Sequence, residues 1–142
     1  MTAAIALTGD IATCQSLRRI VFIEEQGVSP ADEVDGKDAT ARHLLATLQG
    51  NPVGTARLLT DGTTGKIGRV CVLAGARGQG IGAALVRWGV AVFRTDPGIA
   101  FALLGAQTHA IGFYERLGFR ATGPVYDDAG IPHRDMILPL RG

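Results

Sequence analysis

The sequence predicts an α/β chain of the α+β kind: a central mixed, mostly antiparallel sheet of six to seven strands flanked by helices, in the order β-α-β-β-β-α-β-α-β-β. Three observations predict it. Leu44 to Leu48, Val53 to Leu59 and Ile67 to Leu73 are short apolar runs separated by turn residues, which read as an antiparallel meander. Helical spacing appears before that meander and twice after it. Ile99 to Leu104 is a continuous apolar run, consistent with a strand buried on both faces.

Taken in order, Ala3 to Leu7 reads as a short strand, and Asp10 is suited to cap the helix that follows. Ile11, Cys14, Leu17 and Val21 recur at helical spacing, so a helix runs from about Ile11 to Phe22 and stops at Gly27-Val28-Ser29-Pro30. Ala31 to Thr40 is acidic and unpatterned, with Asp32, Glu33, Asp35 and Asp38, and is expected to be a loop with a role beyond connection. Gln49-Gly50-Asn51-Pro52 and Asp61-Gly62-Thr63-Thr64-Gly65 are the turns of the meander. A helix from Ile81 to Arg94 carries Ile81, Leu85, Trp88 and Val92 on one face. Thr108 is placed to cap a last helix with the apolar set Ala110, Phe113 and Leu117, and Gly118 stands where a left-handed residue ends it. Strands near Phe119 to Val125 and His133 to Leu138 close the chain around the turn Asp127-Asp128-Ala129-Gly130.

The 142 residues fit one domain. Hydrophobic residues make up 46% and charged residues 19%, which argues against disorder. A net charge of +1 offers no electrostatic footprint for nucleic acid or an anionic membrane. No segment reaches the ~18 consecutive apolar residues of a membrane helix, and no basic stretch precedes an apolar run at the start, so no signal peptide is expected. Cys14 and Cys71 have no metal-type spacing and make no disulfide framework. No metal site is predicted, and a reducing, cytoplasmic setting is the simplest expectation.

The chemistry centres on Arg77-Gly78-Gln79-Gly80-Ile81-Gly82, between a strand and a helix. Three glycines in five positions leave bare backbone for a ligand to lie against. The helix start presents unpaired N–H groups and a positive dipole end, an anion site most often used for phosphate, and Arg77 adds a charge that reaches phosphate oxygens. Gly78-x-Gly80-x-x-Ala83 also satisfies the dinucleotide fingerprint, but the next strand ends Leu104-Gly105-Ala106-Gln107 without the acid that holds a ribose. A kinase-type loop would need Gly-Lys-Ser/Thr, which is missing. A glycine-rich turn made only for close packing is the remaining alternative.

Gln107-x-x-Ala110-x-x-x-Tyr114-x-x-x-Gly118-Phe119 follows about 25 residues after the loop. Together with Arg77-x-x-Gly80-x-Gly82 it resembles the GCN5-related N-acetyltransferase (GNAT) family, and the strand order is similar to that family's fold. Val21-Phe22-x-x-Glu25-Gln26-Gly27-Val28, the Glu33-x-Asp35-x-x-Asp38 stretch, His43-Leu44 and Gly130-Ile131-Pro132-His133-x-x-Met136 look like its ElaA-type branch. The resemblance implies acetyl-CoA as cofactor and acetyl transfer to a primary amine of a small molecule or an exposed amino group. It puts the main chain of Val70, Cys71 and Val72 beside the pantetheine arm and the thioester carbonyl. Arg77, Gly78, Gln79, Gly80, Ile81 and Gly82 would hold the pyrophosphate. Gln107 stands where the family usually has Asn against the cofactor arm, and Tyr114 would give a proton to the departing thiolate.

A phenol at a helix start is an adequate acid for a thiolate; without the motif, Tyr114 reads as a core aromatic beside Phe113. The base is open among Glu25, Glu33, Asp35, His43, His109 and His133, or a water chain from any of them, and direct transfer to an already neutral amine is the alternative to a base. Cys71 alternates like a packed strand residue and has no neighbouring His or acid in sequence to activate it as a nucleophile. The acceptor site is expected at Phe22, Glu25, Gln26, Glu33, Asp35 and His133, where an acidic pocket of Glu25, Glu33, Asp35 and Asp38 would favour a cationic amine; a solvated acidic loop is the alternative. Transfer would be direct, in a ternary complex. A CoA-binding regulatory module without turnover and a nicotinamide-linked oxidoreductase are the competing functions. Exposed edge strands of such sheets permit a homodimer.

Overall fold

A computed structural model describes residues 2–141. In chain order it forms β1 (Ala4–Thr8), α1 (Ile11–Arg18), a π-helical segment (Arg19–Glu25), α2 (Pro30–Glu33), β2 (Arg42–Leu48), β3 (Asn51–Asp61), β4 (Thr64–Val72), α3 (Ile81–Arg94), β5 (Phe101–Gln107), α4 (Ile111–Glu115), β6 (Arg120–Asp128) and β7 (Ile131–Pro139). The seven strands make one sheet in the order β1-β2-β3-β4-β5-β7-β6. Every neighbouring pair is antiparallel except β4–β5, which is parallel and needs the crossover that α3 provides. The sheet edges are β1 and β6.

Local chemistry explains the connections. Gln49 and Gly50 both take positive φ, 52° and 80°, so the β2–β3 turn has two central residues, and Asn51 and Pro52 already belong to β3. Ala129 and Gly130 repeat the arrangement between β6 and β7. The side chain of Asp10 caps α1 through the Thr13 amide at 3.2 Å. Beyond Arg18 the helix widens into a π-helix that runs to Glu25, three residues past the expected end, before Gly27 at φ 74° stops it. The acidic stretch is not all loop: Ser29 caps the single turn α2, and Asp38–Thr40 forms a 3₁₀ turn.

The core lies between α3 and the sheet, with Leu44, Leu58, Leu85, Val86 and Phe93 fully buried. Helix α3 has the expected bounds, and Ile81, Leu85 and Val92 are buried as expected, but Trp88 is not. Trp88 is 45% exposed, and the buried stripe runs through Leu85, Val86, Gly89, Val92 and Phe93. The reason is close approach: a Cβ on Gly89 would stand 3.0 Å from Leu58 and 3.1 Å from Ile67, so this glycine faces the sheet and turns Trp88 outward. Strand β5 starts at Phe101 and is buried on one face only, through Ala102, Leu104 and Ala106. Thr108 makes no cap; a 3₁₀ turn, Thr108–Ala110, precedes the short α4, and Gly118 takes the expected left-handed φ of 96°.

A Cβ on Gly65 would stand 2.6 Å from the ring of Phe93, which has no exposed surface. Gly65→Ala is therefore expected to force the ring off its seat at a cost of about 1–3 kcal/mol. A thermal melt that matches the unsubstituted protein would mean that the ring moves freely.

Candidate active site

The site begins where β4 and β5 part. Their parallel ladder joins Thr64 to Phe101, Gly65 to Ala102 and Lys66 to Leu103, and ends there, although β4 continues to Val72 and β5 to Gln107. A bulge drives the parting. Gly68 pairs with Arg57 and Cys71 with Thr55, so β4 has one residue more than β3 over this interval. Arg69 absorbs it at φ 49°, a left-handed conformation uncommon outside glycine. Beyond the bulge, the amide of Leu73 donates to the carbonyl of Val53 on the β3 side. Alternation along the strand turns the N–H and C=O of Val72 the other way, into the gap; that carbonyl accepts from Arg77 Nε at 2.9 Å.

A cavity of about 600 Å³ opens on one side of the gap, lined by Val70, Cys71, Val72, Gly78, Gly80 and the start of α3. Gly78 and Gly80 sit at φ 82° and 78°, and a Cβ on Gly75, Gly78 or Gly80 would meet nothing within 4 Å. Gly80 is the N-cap of α3 and supplies no side-chain cap; the helix's main-chain bonds begin with Ala84 N–H to Gly80 C=O. The N–H groups of Ile81, Gly82 and Ala83 therefore face an open cradle of the form that takes phosphate. The donor set and the bare backbone fit the pyrophosphate of acetyl-CoA, and Ile81 and Gly82 line the cavity with them.

Arg77 does not point free charge at that cradle. Its guanidinium is held bidentate at 2.6 and 2.7 Å by Glu25, the last residue of the π-helix. Two of its five N–H groups remain for a phosphate. Glu25, expected in the acceptor pocket, thus lies on the cofactor side, where its hydrogen bonds from Arg77 hold its carboxyl below the usual range. Gln79 lines neither cavity.

A second cavity, of about 560 Å³, opens on the other side, and Phe22, Glu33, Asp35 and His133 are among the residues that line it. The two cavities share a wall of Gln26, Val70, Gln107, Ala110 and Tyr114. The Tyr114 ring packs edge-on against Phe113 at 5.0 Å and Phe119 at 6.4 Å, so it is a core aromatic and a cavity residue at once. Burial pushes its phenol above the ordinary value, which keeps the proton on oxygen at neutral pH. The Gln107 amide donates to Gln26 Oε1 at 3.2 Å and accepts from His109 Nε2 at 2.7 Å. Cys71 is buried with Leu17 and Val21, and burial drives its thiol up to about 12. It is unfit as a nucleophile, as its place in the strand suggested.

The expected acidic pocket is corrected by three arginines. Arg18, 1% exposed, donates to Glu33 at 2.7 Å and to Asp38 at 2.5 Å. Arg57, 5% exposed, binds Asp35 at 2.6 Å and Asp38 at 3.2 Å. Arg69 reaches Asp35 at 3.4 Å and the carbonyls of Asp32 and Glu33. Three carboxylates thus meet three guanidiniums, and the cluster is neutral. It anchors the 30–40 segment to the sheet beneath the cavity. Arg18 and Arg57 were not legible as site residues: Arg18 follows Leu17 on a helix face that reads as apolar, and Arg57 interrupts an apolar strand.

This network sets an acid limit. Hydrogen bonds from Arg57 draw the Asp35 carboxyl down to about 2. Burial raises that of Asp38, but its bonds from Arg18 and Gln15 outweigh burial and hold it lower still. Both are depressed below the unfolded value of about 3.9. Their contribution is complete above that value and is lost as pH falls through the folded values. Urea midpoints should hold steady from pH 7 to about pH 5 and drop between about pH 4 and pH 2. Arg57→Gln should remove about 3–5 kcal/mol at pH 7, because it leaves carboxylates uncompensated. A midpoint flat down to pH 2 contradicts this account.

The family profile for the acetyltransferase (GNAT) domain matches residues 22–140. The Bacillus subtilis protein BSU40680 is 40% identical over 127 residues, 87% of this chain and 86% of its own length. Escherichia coli ElaA is 35% identical over 125 residues, 84% of this chain and 81% of ElaA. Its crystal structure superposes with a TM-score of 0.84 over 96% of this chain and 99% of that one. The crystal structure of an acyl-CoA N-acyltransferase from Pseudomonas aeruginosa, at 32% identity, also gives a TM-score of 0.84 over 96% of this chain and 99% of its own. With a mostly antiparallel sheet and no acid at the end of β5, the nicotinamide reading falls. The bulged β4, the glycine loop at α3 and Tyr114 on the shared wall all lie within the matched residues, and the chain belongs to the GNAT N-acetyltransferase family, in its ElaA-type branch, with acetyl-CoA as cofactor.

Proposed function

We propose that this acetyltransferase moves the acetyl group directly to a primary amine while both substrates are bound. The observation that carries the reading is the pair of cavities meeting at one wall of Gln26, Val70, Gln107, Ala110 and Tyr114. One cavity has the phosphate cradle; the other has none and is open for an acceptor. When bound in the cradle, acetyl-CoA supplies an acetyl thioester. The α3 amides and Arg77 would hold its diphosphate, and the Val72 N–H is aimed into the gap where a carbonyl oxygen would gain charge. Tyr114 keeps a proton on its hydroxyl for the leaving sulfur. Cys71, with its thiol protonated and buried, offers no acyl-enzyme route, which favours direct transfer.

The acceptor cavity mixes Lys37, Lys66 and Arg69 with Asp32, Asp128 and Asp135 around Phe22, Leu59 and Leu103. Because the cluster behind it is neutral, amine recognition is assigned to shape and hydrogen bonding rather than to a field of negative charge. A small-molecule amine or an exposed amino group enters on this side.

Initial rates measured over a grid of acetyl-CoA and amine concentrations should give intersecting double-reciprocal lines. Parallel lines, with an acetylated protein seen by mass spectrometry, would replace direct transfer by an acyl-enzyme. Tyr114→Phe should retain acetyl-CoA binding by calorimetry and lose at least ~10-fold in kcat, at the low end for removal of a general acid. Unchanged turnover takes Tyr114 out of the mechanism.

Gly80→Val places a branched side chain at φ 78° inside the cradle. Affinity for acetyl-CoA should fall by more than about 10-fold, since each 1.4 kcal/mol lost is a factor of ten. Circular dichroism should remain that of the folded protein. Retained affinity would put the diphosphate elsewhere.

A further inference from the structure

We propose that His133 is the base that takes a proton from the incoming amine. The inference rests on the acyl-transfer reading above and assigns to that site a group it still lacks.

An ammonium cannot attack a carbonyl, so one N–H bond must break first, with its electron pair left on nitrogen. The proton must end on a group that faces the acceptor cavity, has a free lone pair and is not already committed to a cation. Five of the six candidate groups fail this. Glu25 lines the other cavity and is bound by Arg77. Glu33 is 4% exposed and receives Arg18. Asp35 is held by both Arg57 and Arg69. His43 is 2% exposed, lines neither cavity, and bonds the Asp38 carbonyl. His109 lies on the cofactor side, tied to Gln107.

His133 meets every condition. It lines the acceptor cavity that Tyr114 also lines. The β5–β7 register sets it directly opposite Gln107, a residue of the shared wall, and directly opposite residues project to the same face. Its Nδ1 stands 2.7 Å from the carbonyl of Ile131. A carbonyl only accepts, so Nδ1 carries the hydrogen and the lone pair of the neutral ring is on Nε2.

The ring is also held in place. Tyr126, its β6 partner in register, stacks on it at 6.0 Å with 23° between planes. The Tyr126 hydroxyl in turn donates to Asp135 at 2.7 Å. Gly105 makes room for this clamp, because a Cβ there would stand 2.5 Å from that hydroxyl. The step balances simply: the amine keeps its electron pair, the proton resides on Nε2 as imidazolium, and it returns to solvent through the open cavity. Other titratable groups of the cavity wall are Asp32, Glu33, Asp35 and Lys37 on the segment after the π-helix, Arg57 on β3, Lys66 and Arg69 on β4, Tyr114 on α4, Tyr126 and Asp128 on β6, and Asp135 on β7.

Two measurements decide the matter. Long-range ¹⁵N–¹H spectra of the full-length wild-type protein, with the ring assigned through the backbone, should show His133 protonated on Nδ1 and bare at Nε2 once neutral. An Nε2–H tautomer overturns the proposal, and this readout needs neither turnover nor a variant. Second, kcat should be measured across pH 6 to pH 9 for wild type and His133→Gln, with folding of the variant checked by acetyl-CoA calorimetry. His133→Gln should retain cofactor affinity, lose about 100-fold in kcat, and lack a limb that rises with pH in the wild type. If His133→Gln does not bind acetyl-CoA, His133→Asn takes its place. Wild type that acetylates an amine while the variant keeps rate and limb overturns the role of His133 alone. Wild type that releases no thiol with any amine overturns the acyl-transfer reading and, with it, the base.

Discussion

The parting of β4 from β5 is the constraint on which the rest depends. Three residue pairs hold the two strands together, and then the ladder stops. A closed sheet at this point would cover the Val72 N–H with a partner and leave no passage between the two cavities. The gap persists because Arg69 takes the extra residue of β4 at positive φ. A strained residue at a functional cleft survives only when its surroundings over-determine it. Here they do: the Arg69 guanidinium is bonded to two carbonyls and a carboxylate of the 30–35 segment. The bulge and the charge network are therefore one structure, seen from the backbone and from the side chain.

That network also explains how so many charges sit below a cavity floor. An isolated buried carboxylate or guanidinium is costly, and a paired one is tolerated only with its hydrogen bonds made. Arg18 and Arg57 reach the carboxylates of Glu33, Asp35 and Asp38 from opposite elements, one from α1 and one from β3. The consequence is specificity of position more than gain in stability. The segment carrying these acids is fixed against the sheet, and the acceptor cavity keeps its wall. On the cofactor side the pairing is different. Arg77 and Glu25 are each about 40% exposed, where an ion pair contributes little and exchanges readily for a ligand.

Legibility followed range. The glycine loop, the bounds of α3 and the left-handed Gly118 were readable because each rests on a local rule of backbone conformation or helix termination. The strand order was readable because turn residues punctuate short apolar runs. The errors have a common cause. Spacing placed Trp88 on the inner face, but the closeness of α3 to Leu58 and Ile67 selects Gly89 there. An apolar run suggested that β5 is buried on both faces, but one face of it, through Leu103 and Gly105, looks into the acceptor cavity. The π-helix left no mark, since the same residues continue a helical spacing whether the turn is tight or wide.

The sequence by itself determined the family and the fold, and it located the glycine loop and Tyr114, because these lie in contiguous motifs whose spacing carries their meaning. Only the tertiary structure decided how the acidic residues of the 30–40 segment are paired and the side on which Glu25 lies. Those depend on partners 15 to 52 positions away along the chain. Whether a carboxylate is a bare charge or half of an ion pair is a property of distance in space, and no local pattern encodes it.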